Sequence, residues 1–135
     1  TQELEILTTD SLNITFVPHL VPMTRGILSS CYARLKIGQF SLGQKAKDEI
    51  VQIYQDFYKD EPYIRVVPTP PETKQTSGNN MCLIYPTVDE RTNTLIVISC
   101  LDNLVKGAAG QAVQNMNVMY NIPETFGLKN LAIYP

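Results

Sequence analysis

The residues best suited to chemistry lie in one short turn between two apolar stretches. His19, the single histidine of the chain, stands in a Pro-His-Leu-Val-Pro turn, and Arg25 follows it just before a glycine. Pro18 and Pro22 fix φ on either side of His19 and favour extended backbone in the residues before them. The imidazole and the guanidinium are therefore held on a stiff connection, which is a suitable place for chemistry. The alternative is that His19 is an ordinary loop histidine with no role in a reaction.

A second candidate is the start of the last predicted helix, which reads Leu-Val-Lys-Gly-Ala-Ala-Gly. Gly107 and Gly110 each weaken a helix by roughly 1 kcal/mol relative to alanine, so another interaction should compensate. Small residues let a ligand or another backbone come close, and a helix N-terminus attracts anions. Tight helix packing explains the two glycines equally well, and both interpretations remain open.

The three cysteines, Cys31, Cys82 and Cys100, are far apart and each lies in an apolar, strand-like run. Their odd number and the single histidine oppose a disulfide framework and a zinc site, so no metal is expected. None lies in a turn or at a helix N-terminus, where a thiolate would be stabilised. We expect three buried, reduced thiols in a cytoplasmic protein.

Length and composition exclude several classes of protein. A chain of 135 residues with 44% hydrophobic and 18% charged residues is one globular domain. The formal net charge is −2 and no cluster of lysine and arginine appears, so nucleic acid is not an expected partner. No apolar run approaches the ~18 residues of a membrane helix, and the N-terminus does not resemble a signal peptide.

The elements that must position these residues form an α+β pattern. Apolar periodicity, prolines and glycines predict strands over residues 10–17, 26–37 and 61–67, a hairpin of strands 81–90 and 94–102, and helices over 42–58 and 103–119. Residues 1–9 are expected to end a helix, and residues 125–135 to form a tail whose leucines and isoleucine pack inward. Residues 72–80 are expected to be a loop on the surface or over a site. Pro86 predicts a bulge or an edge position in the hairpin.

The helix over residues 42–58 is the clearest amphipathic segment of the chain. A capping box, with Ser41 at the N-cap and Gln44 at N3, is predicted to begin it. Its apolar face, which should lie on a sheet, comprises Leu42, Ala46, Ile50, Ile53, Tyr54 and Phe57. Residues 95–101 are apolar on both parities, so that strand needs a cover on both faces. The helix would supply one cover, and another subunit the second.

Four stretches together resemble one enzyme family. They are residues 18–26 (PHLVPMTRG), 57–66 (FYxxEPYxRV), 88–92 (VDERT) and 101–117 (LDNLVKGAAGQAVQNMN). From about residue 11 to its end, the chain resembles N-acetyl-gamma-glutamyl-phosphate reductase. The wider group includes aspartate-semialdehyde and glyceraldehyde-3-phosphate dehydrogenases.

This resemblance implies a two-domain enzyme of which residues 1–135 are the second domain. The family's NADP-binding Rossmann domain carries the catalytic cysteine in an Asn-Pro-Gly-Cys motif, and that motif is absent here. The second domain serves catalysis and oligomerisation, and has a mixed, mostly antiparallel sheet with helices on one face. The resemblance implies a homo-oligomer, a dimer or a tetramer, in the cytoplasm. The isolated domain is expected to be inactive.

The implied reaction is the NADPH-dependent reduction of N-acetyl-gamma-glutamyl phosphate to the semialdehyde and phosphate, a step of arginine biosynthesis. His19 matches the family's catalytic histidine, which would activate the thiol and donate a proton. Arg25 would bind the substrate's carboxylate or phosphate, and Lys106 either faces the phosphate or is solvated. Asn103 matches an asparagine that positions the nicotinamide carboxamide. Gly107 would let the helix approach the cofactor domain.

A competing hypothesis is a stand-alone ligand-binding or assembly module that keeps the fold and has lost the chemistry. The absence of a nucleotide-binding motif favours it, and the presence of His19, Arg25 and Asn103 opposes it. The role of Asn80, which matches a Gly-x-Asn loop of the family, is left open.

Overall fold

A four-stranded sheet is the scaffold of the chain, and a computed structural model describes it over residues 2–7, 12–36, 38–41 and 43–133. The strand order is β1-β4-β3-β2, with only the β2–β3 pair parallel. This mixed, mostly antiparallel sheet confirms the predicted α+β class. The elements are α1 (Gln2–Leu7), β1 (Ile27–Arg34), α2 (Gln44–Phe57), β2 (Ile64–Val66), a 3₁₀ turn (Thr73–Thr76), β3 (Cys82–Asp89), β4 (Thr94–Leu101), a π turn (Val105–Ala109) and α3 (Gly110–Met119).

The predicted hairpin is β3 and β4, which pair without interruption from Cys82↔Leu101 to Asp89↔Thr94. Asn93 in the connecting turn has φ 50°, a left-handed conformation that asparagine tolerates. Pro86 pairs in register with Val97, two residues beyond the end of the β2 pairing. It therefore occupies an edge position and forms no bulge, because no β2 residue needs its missing N–H.

The two faces of the sheet are covered differently. α2 contacts β2 and β3, burying its own Ala46 and Ile50. The π turn packs on Ile27 and Leu101, which share a face with the buried Ile84. On the opposite face, the buried Cys100 thiol donates to the Pro71 carbonyl at 3.5 Å. The proline-rich segment of residues 68–71 therefore covers part of the second face.

β1 is the least covered strand of the sheet. Leu28 and Tyr32 are exposed on one face, and Ile27 and Cys31 on the other. The prediction that all three cysteines are buried is therefore wrong for Cys31, while Cys82 is half-buried. Alternation of apolar residues predicted the strand, but it carries no information about whether a layer lies over it.

The strand predicted over residues 10–17 is a second correction. Residues 10 and 11 lie outside the described residues, and residues 12–17 form no strand. Ile14, Phe16 and Val17 are exposed. Their alternation fits a strand, but a strand needs a hydrogen-bonded neighbour, and the described part of the chain provides none.

The start of α2 also differs from the prediction. The N-cap is Gly43, with φ 65° and no side-chain cap, and Leu42 lies outside the described residues. The Ser41 N–H and hydroxyl instead donate to the two carboxylate oxygens of Glu49, at 3.0 and 2.5 Å. The predicted capping box is therefore absent from the described residues, and Ser41 is instead hydrogen-bonded to Glu49 in the second turn of α2.

Two of the apolar residues predicted to form the buried face of α2, Ile53 and Phe57, are exposed. The tail buries Leu128 and leaves Leu131 and Ile133 exposed, with residues 134–135 outside the described range. At both places the sequence has more apolar side chains than the described part of the chain covers. Within the described residues, no helix has both the length and the apolar character needed to cross a membrane.

Candidate active site

Two dipeptides that are distant in sequence meet at one end of the sheet: Arg25-Gly26 before β1, and Asp102-Asn103 after β4. The meeting follows from strand pairing, because Ile27, the first residue of β1, lies opposite Leu101, the last residue of β4. Antiparallel pairing places the start of one strand beside the end of the other. The loop that contains Gly78 closes over the same corner.

The Arg25–Asp102 ion pair is the centre of this corner. Nε and Nη2 of Arg25 both donate to Asp102 Oδ1 at 3.2 Å, and Nη2 lies 3.1 Å from Oδ2. The Asp102 side chain is fully buried, and that of Arg25 is 37% exposed. The sequence motifs indicated Arg25 but no role for Asp102. Its place in the Asp-Asn pair was the available signal.

The second pair joins Asn103 to the backbone of Gly26. Asn103 Oδ1 accepts from the Gly26 N–H at 2.7 Å. Gly26 has φ +103°, and a Cβ atom there would lie 2.7 Å from the Cβ of Thr73. Both the conformation and the space therefore require glycine at this position.

The Asp102 carboxylate also fixes two backbone segments. Its Oδ2 accepts from the Gly78 N–H at 2.7 Å, and its Oδ1 accepts from the N–H groups of Leu104 and Val105 at 2.8 and 2.9 Å. Burial raises the pKa of Asp102, but the N–H donors of Gly78, Val105 and Leu104 and the Arg25 guanidinium outweigh burial and hold the pKa below its usual value. The group is therefore a carboxylate at neutral pH.

The loop over this corner is partly buried. Thr76 and Asn80 within the predicted loop 72–80 are fully buried, and Gly78 is bonded to Asp102. Glu72, Lys74 and Gln75 of the same loop are exposed, and its location over a functional site stays a prediction. Asn80 Nδ2 donates to Gln114 Oε1 at 2.8 Å, which ties the loop to α3.

The helix predicted over residues 103–119 begins with a π turn. The Gly107 N–H donates to the Asp102 carbonyl at 2.8 Å, and the Ala109 N–H to the Leu104 carbonyl at 3.0 Å, both five residues back. Such wide turns are frequent at functional sites. Leu104 is the N-cap of the π turn, and the regular α-helix starts at Gly110.

Close packing within the chain explains both glycines of this turn. A Cβ on Gly107 would lie 3.2 to 3.4 Å from the Asp102 carbonyl and from the side chains of Leu101 and Ile27. A Cβ on Gly110 would collide with Asn80 Oδ1 and would lie 2.7 Å from the Val105 carbonyl. Contact of Gly107 with a cofactor stays a prediction.

Lys106 points into a polar cluster on α3. Its Nζ donates to Gln114 Oε1 at 2.7 Å and lies 5.5 Å from the ring centre of Tyr63. Gln114 in turn donates to Glu124 at 2.5 Å. Burial lowers the pKa of Lys106. Lys106 would have to leave Gln114 to reach a phosphate, so its substrate role also stays a prediction.

His19 lies in the exposed segment of residues 13–24. Its Nδ1 is 3.0 Å from the Val17 carbonyl, and the Met23 N–H donates to the Val21 carbonyl at 2.7 Å. In the described part of the chain, no hydrogen bond joins His19 to Arg25, Asp102 or Asn103. The imidazole is therefore exposed to solvent, on the same segment that leads to the Arg25–Asp102 ion pair.

Two of the three thiols, Cys82 and Cys100, are poor nucleophiles because burial disfavours their thiolate forms. Burial raises the pKa of Cys82, and burial followed by the charge of Cys82 raises the pKa of Cys100 to about 11. Across the described residues, no group of three or more His, Cys, Asp or Glu side chains is arranged to hold a metal ion.

Comparison with known proteins gives consistent matches. The family model described as "Semialdehyde dehydrogenase, dimerisation domain" matches residues 1–103. A relative from Dehalococcoides mccartyi, named N-acetyl-gamma-glutamyl-phosphate reductase, is 59% identical over 123 residues, which cover 90% of this chain and 34% of the relative. Relatives with the same name from Geobacter metallireducens and Geobacter sulfurreducens are 52% and 48% identical, covering 99% of this chain and 38% of each relative.

The chain thus spans little more than a third of the length of the curated relatives that it matches. These matches confirm the resemblance predicted from the four motifs.

Proposed function

Because the chain belongs to the family of semialdehyde dehydrogenase dimerisation domains, we propose that it is the catalytic and oligomerisation domain of an NADPH-dependent N-acetyl-gamma-glutamyl-phosphate reductase. The observation that carries the proposal is a pair of contacts between two dipeptides: Arg25 is paired with Asp102, and the Gly26 N–H donates to Asn103. It joins two of the four motifs at one corner of the sheet, beside the segment that bears His19. The names of the relatives supply the substrate class.

In this proposal Arg25 binds an oxyanion of the substrate. Asp102 occupies one edge of the guanidinium, formed by Nε and Nη2. Among the described residues, no hydrogen bond engages the other edge, formed by Nη1 and the second N–H of Nη2, so it can donate two parallel hydrogen bonds to a carboxylate or phosphate. The Arg25 side chain is 37% exposed, and we propose that a ligand reaches this edge from the exposed side.

His19 is the acid and base of the reaction. The nucleophile is a cysteine thiol in another domain of the reductase. The imidazole takes the thiol proton, the sulfur attacks the acyl carbon, and the bond to phosphate breaks, which leaves a thioester and free phosphate. Once the thioester has been reduced, the imidazolium would protonate or stabilise the oxyanion of the thiohemiacetal, whose C–S bond then breaks to give the semialdehyde and the cysteine. An exposed histidine on a proline-flanked turn can serve a thiol on a second domain, whereas a buried one could not.

The side chain of Asn103 fits a contact with the cofactor. Its Oδ1 is engaged by the Gly26 N–H, so its amide Nδ2 is the group left to donate to a carbonyl oxygen such as that of a carboxamide. NADPH supplies the hydride when it is bound, and the Rossmann domain of the reductase would hold most of it. The Asn103–Gly26 bond fixes the orientation of this amide relative to β1.

The test uses a chimaera in which this chain replaces the matching part of the Geobacter metallireducens reductase. We expect NADPH-dependent turnover in the chimaera, and His19→Asn should lower kcat by about 10²–10⁴-fold, as expected for loss of a general acid–base group. Gln55→Ala, an exposed position on α2, is the matched control and should leave kcat unchanged. A His19→Asn chimaera with the kcat of its parent would remove His19 from the mechanism.

A second function, self-association, is supported by β1. This strand is exposed on both faces, and its residues include Leu28 and Tyr32. Long apolar strands without a cover promote association, and the family model is itself described as a dimerisation domain. We expect dimers or tetramers in analytical ultracentrifugation, dissociated by Tyr32→Lys but not by Gln55→Lys. A wild-type chain that stays monomeric at high concentration would contradict this function.

A further inference from the structure

Asp102 is the one fully buried carboxylate in the described part of the chain, and it holds three separate segments at once. Arg25 comes from the segment before β1, Gly78 from the loop between the 3₁₀ turn and β3, and Leu104 and Val105 from the π turn. A buried charge is tolerated only where it is paired and fully hydrogen-bonded, and these partners meet that condition.

The geometry of the pair determines which part of Arg25 remains available. Asp102 lies along the Nε–Nη2 edge with contacts of 3.1 and 3.2 Å. This arrangement fixes the guanidinium plane and directs the Nη1 end away from the carboxylate. A guanidinium held in this way loses less conformational freedom when it binds a second oxyanion.

We propose that Asp102 is a positioning residue, which holds the Arg25 guanidinium so that its free edge binds a carboxylate or phosphate of the substrate. The inference rests on the proposed function for the identity of that substrate. The same carboxylate caps the π turn, so the orientation of Arg25 and the position of Asn103 depend on one group. Asp102 acts through Arg25 and does not touch the substrate.

A double-mutant cycle in the chimaera tests this proposal. Asp102→Asn keeps an oxygen for the π turn and for Arg25 Nε, but it removes the negative charge and places an amide donor against the Gly78 N–H and Arg25 Nη2. We expect KM to rise about tenfold or more with a smaller change in kcat, because the loss is in binding. In an Arg25→Ala background, the same Asp102→Asn change should alter KM by less than about twofold.

A purely structural role gives a different result. If Asp102 only stabilises the fold, its effect on KM will be the same with and without Arg25, and that additivity would overturn the proposal. Arg25→Lys leaves Asp102 intact and serves if Asp102→Asn fails to fold. Lysine can pair with Asp102 but has no second edge, so its KM should match that of Arg25→Ala within about threefold. A wild-type KM for Arg25→Lys would also overturn the proposal.

Failure of the proposed function is recognised separately, as absence of turnover in the unmodified chimaera. In that case the 135-residue chain itself tests the positioning by NMR. The Arg25 Nε–H signal should persist at neutral pH in the wild type, because its proton is bound to Asp102 Oδ1, and it should be lost in Asp102→Ala, which removes that acceptor. A wild-type chain in which this signal exchanges as fast as those of the other arginines would show that the pair is not formed.

Discussion

The Oδ1 atom of Asn103 accepts a hydrogen bond of 2.7 Å from the backbone N–H of Gly26, so a side chain matched to cofactor binding also holds the start of β1. If Asn103 also binds the cofactor as proposed, one amide has two separable functions. Its oxygen is structural, and its nitrogen is the group available to a ligand. Substitutions that keep one atom and change the other can distinguish them.

Asn103→Leu should destabilise the chain by about 1–3 kcal/mol, because the partly buried Gly26 N–H loses its acceptor. Asn103→Asp keeps an oxygen at that position and should cost less. Both variants lose the Nδ2 donor, so both should weaken NADPH binding in the chimaera. Denaturant unfolding and fluorescence titration with NADPH measure the two effects. A cofactor affinity unchanged in both variants would assign Asn103 to structure alone.

Gly110→Ala should destabilise the chain by about 1–3 kcal/mol despite the higher helix propensity of alanine, because a Cβ there collides with Asn80 and the Val105 backbone. Gly107→Ala is the matched control in the same turn. Its nearest neighbours would be 3.2 to 3.4 Å away, so its effect should be smaller. Thermal unfolding of the two variants gives the comparison, and equal melting temperatures would contradict the packing explanation.

Acid should destabilise the chain through Asp102. Its pKa in the folded state is lowered, since its hydrogen-bond donors outweigh burial, so its contribution to stability is present above the unfolded pKa of about 3.9 and is lost as the pH falls through the folded value. The lowered pKa values of Glu49 and Asp89 act in the same direction. Denaturant midpoints should therefore fall below about pH 4, and less steeply in Asp102→Asn. A variant with the wild-type slope would contradict this assignment.

The three thiols should react with iodoacetamide in a fixed order. Cys31 is exposed on β1 and should react first, whereas Cys100 is buried, with a pKa of about 11, and should react last. Peptide mass spectrometry at low protein concentration gives the rates, and all three should react alike in denaturant. If β1 forms the contact between subunits, raising the concentration should protect Cys31. Modification of Cys100 before Cys31 would contradict the burial described here.

Local patterns predicted most of the secondary structure but not its surroundings. The period of α2, and the two apolar runs of β3 and β4 on either side of a polar turn, were sufficient because each pattern reports its own element. The same alternation in residues 12–17 predicted a strand that has no neighbour among the described residues, and in β1 it predicted burial that the sheet does not provide. A strand pattern in one sequence does not identify the surface that covers it.

The site was predicted in part for a related reason. Motifs selected Arg25 and Asn103, but the partners that hold them lie 77 residues away in both cases. Asp102 stood next to a residue that was singled out, and nothing in its local sequence indicates burial or an ion pair. Gly78 and Thr73 were likewise invisible as neighbours of this corner until the chain was folded.

The exposed segment that carries His19 has a consequence for the energetics of turnover. Ordering a backbone residue opposes folding or docking by about 1–2 kcal/mol, and residues 13–24 have few contacts within the described chain to offset it. In the proposed mechanism, most of the free energy needed to order the imidazole would therefore come from the surface on which this segment docks. Substitutions on that distant surface should slow the reaction even though they touch none of the reacting groups.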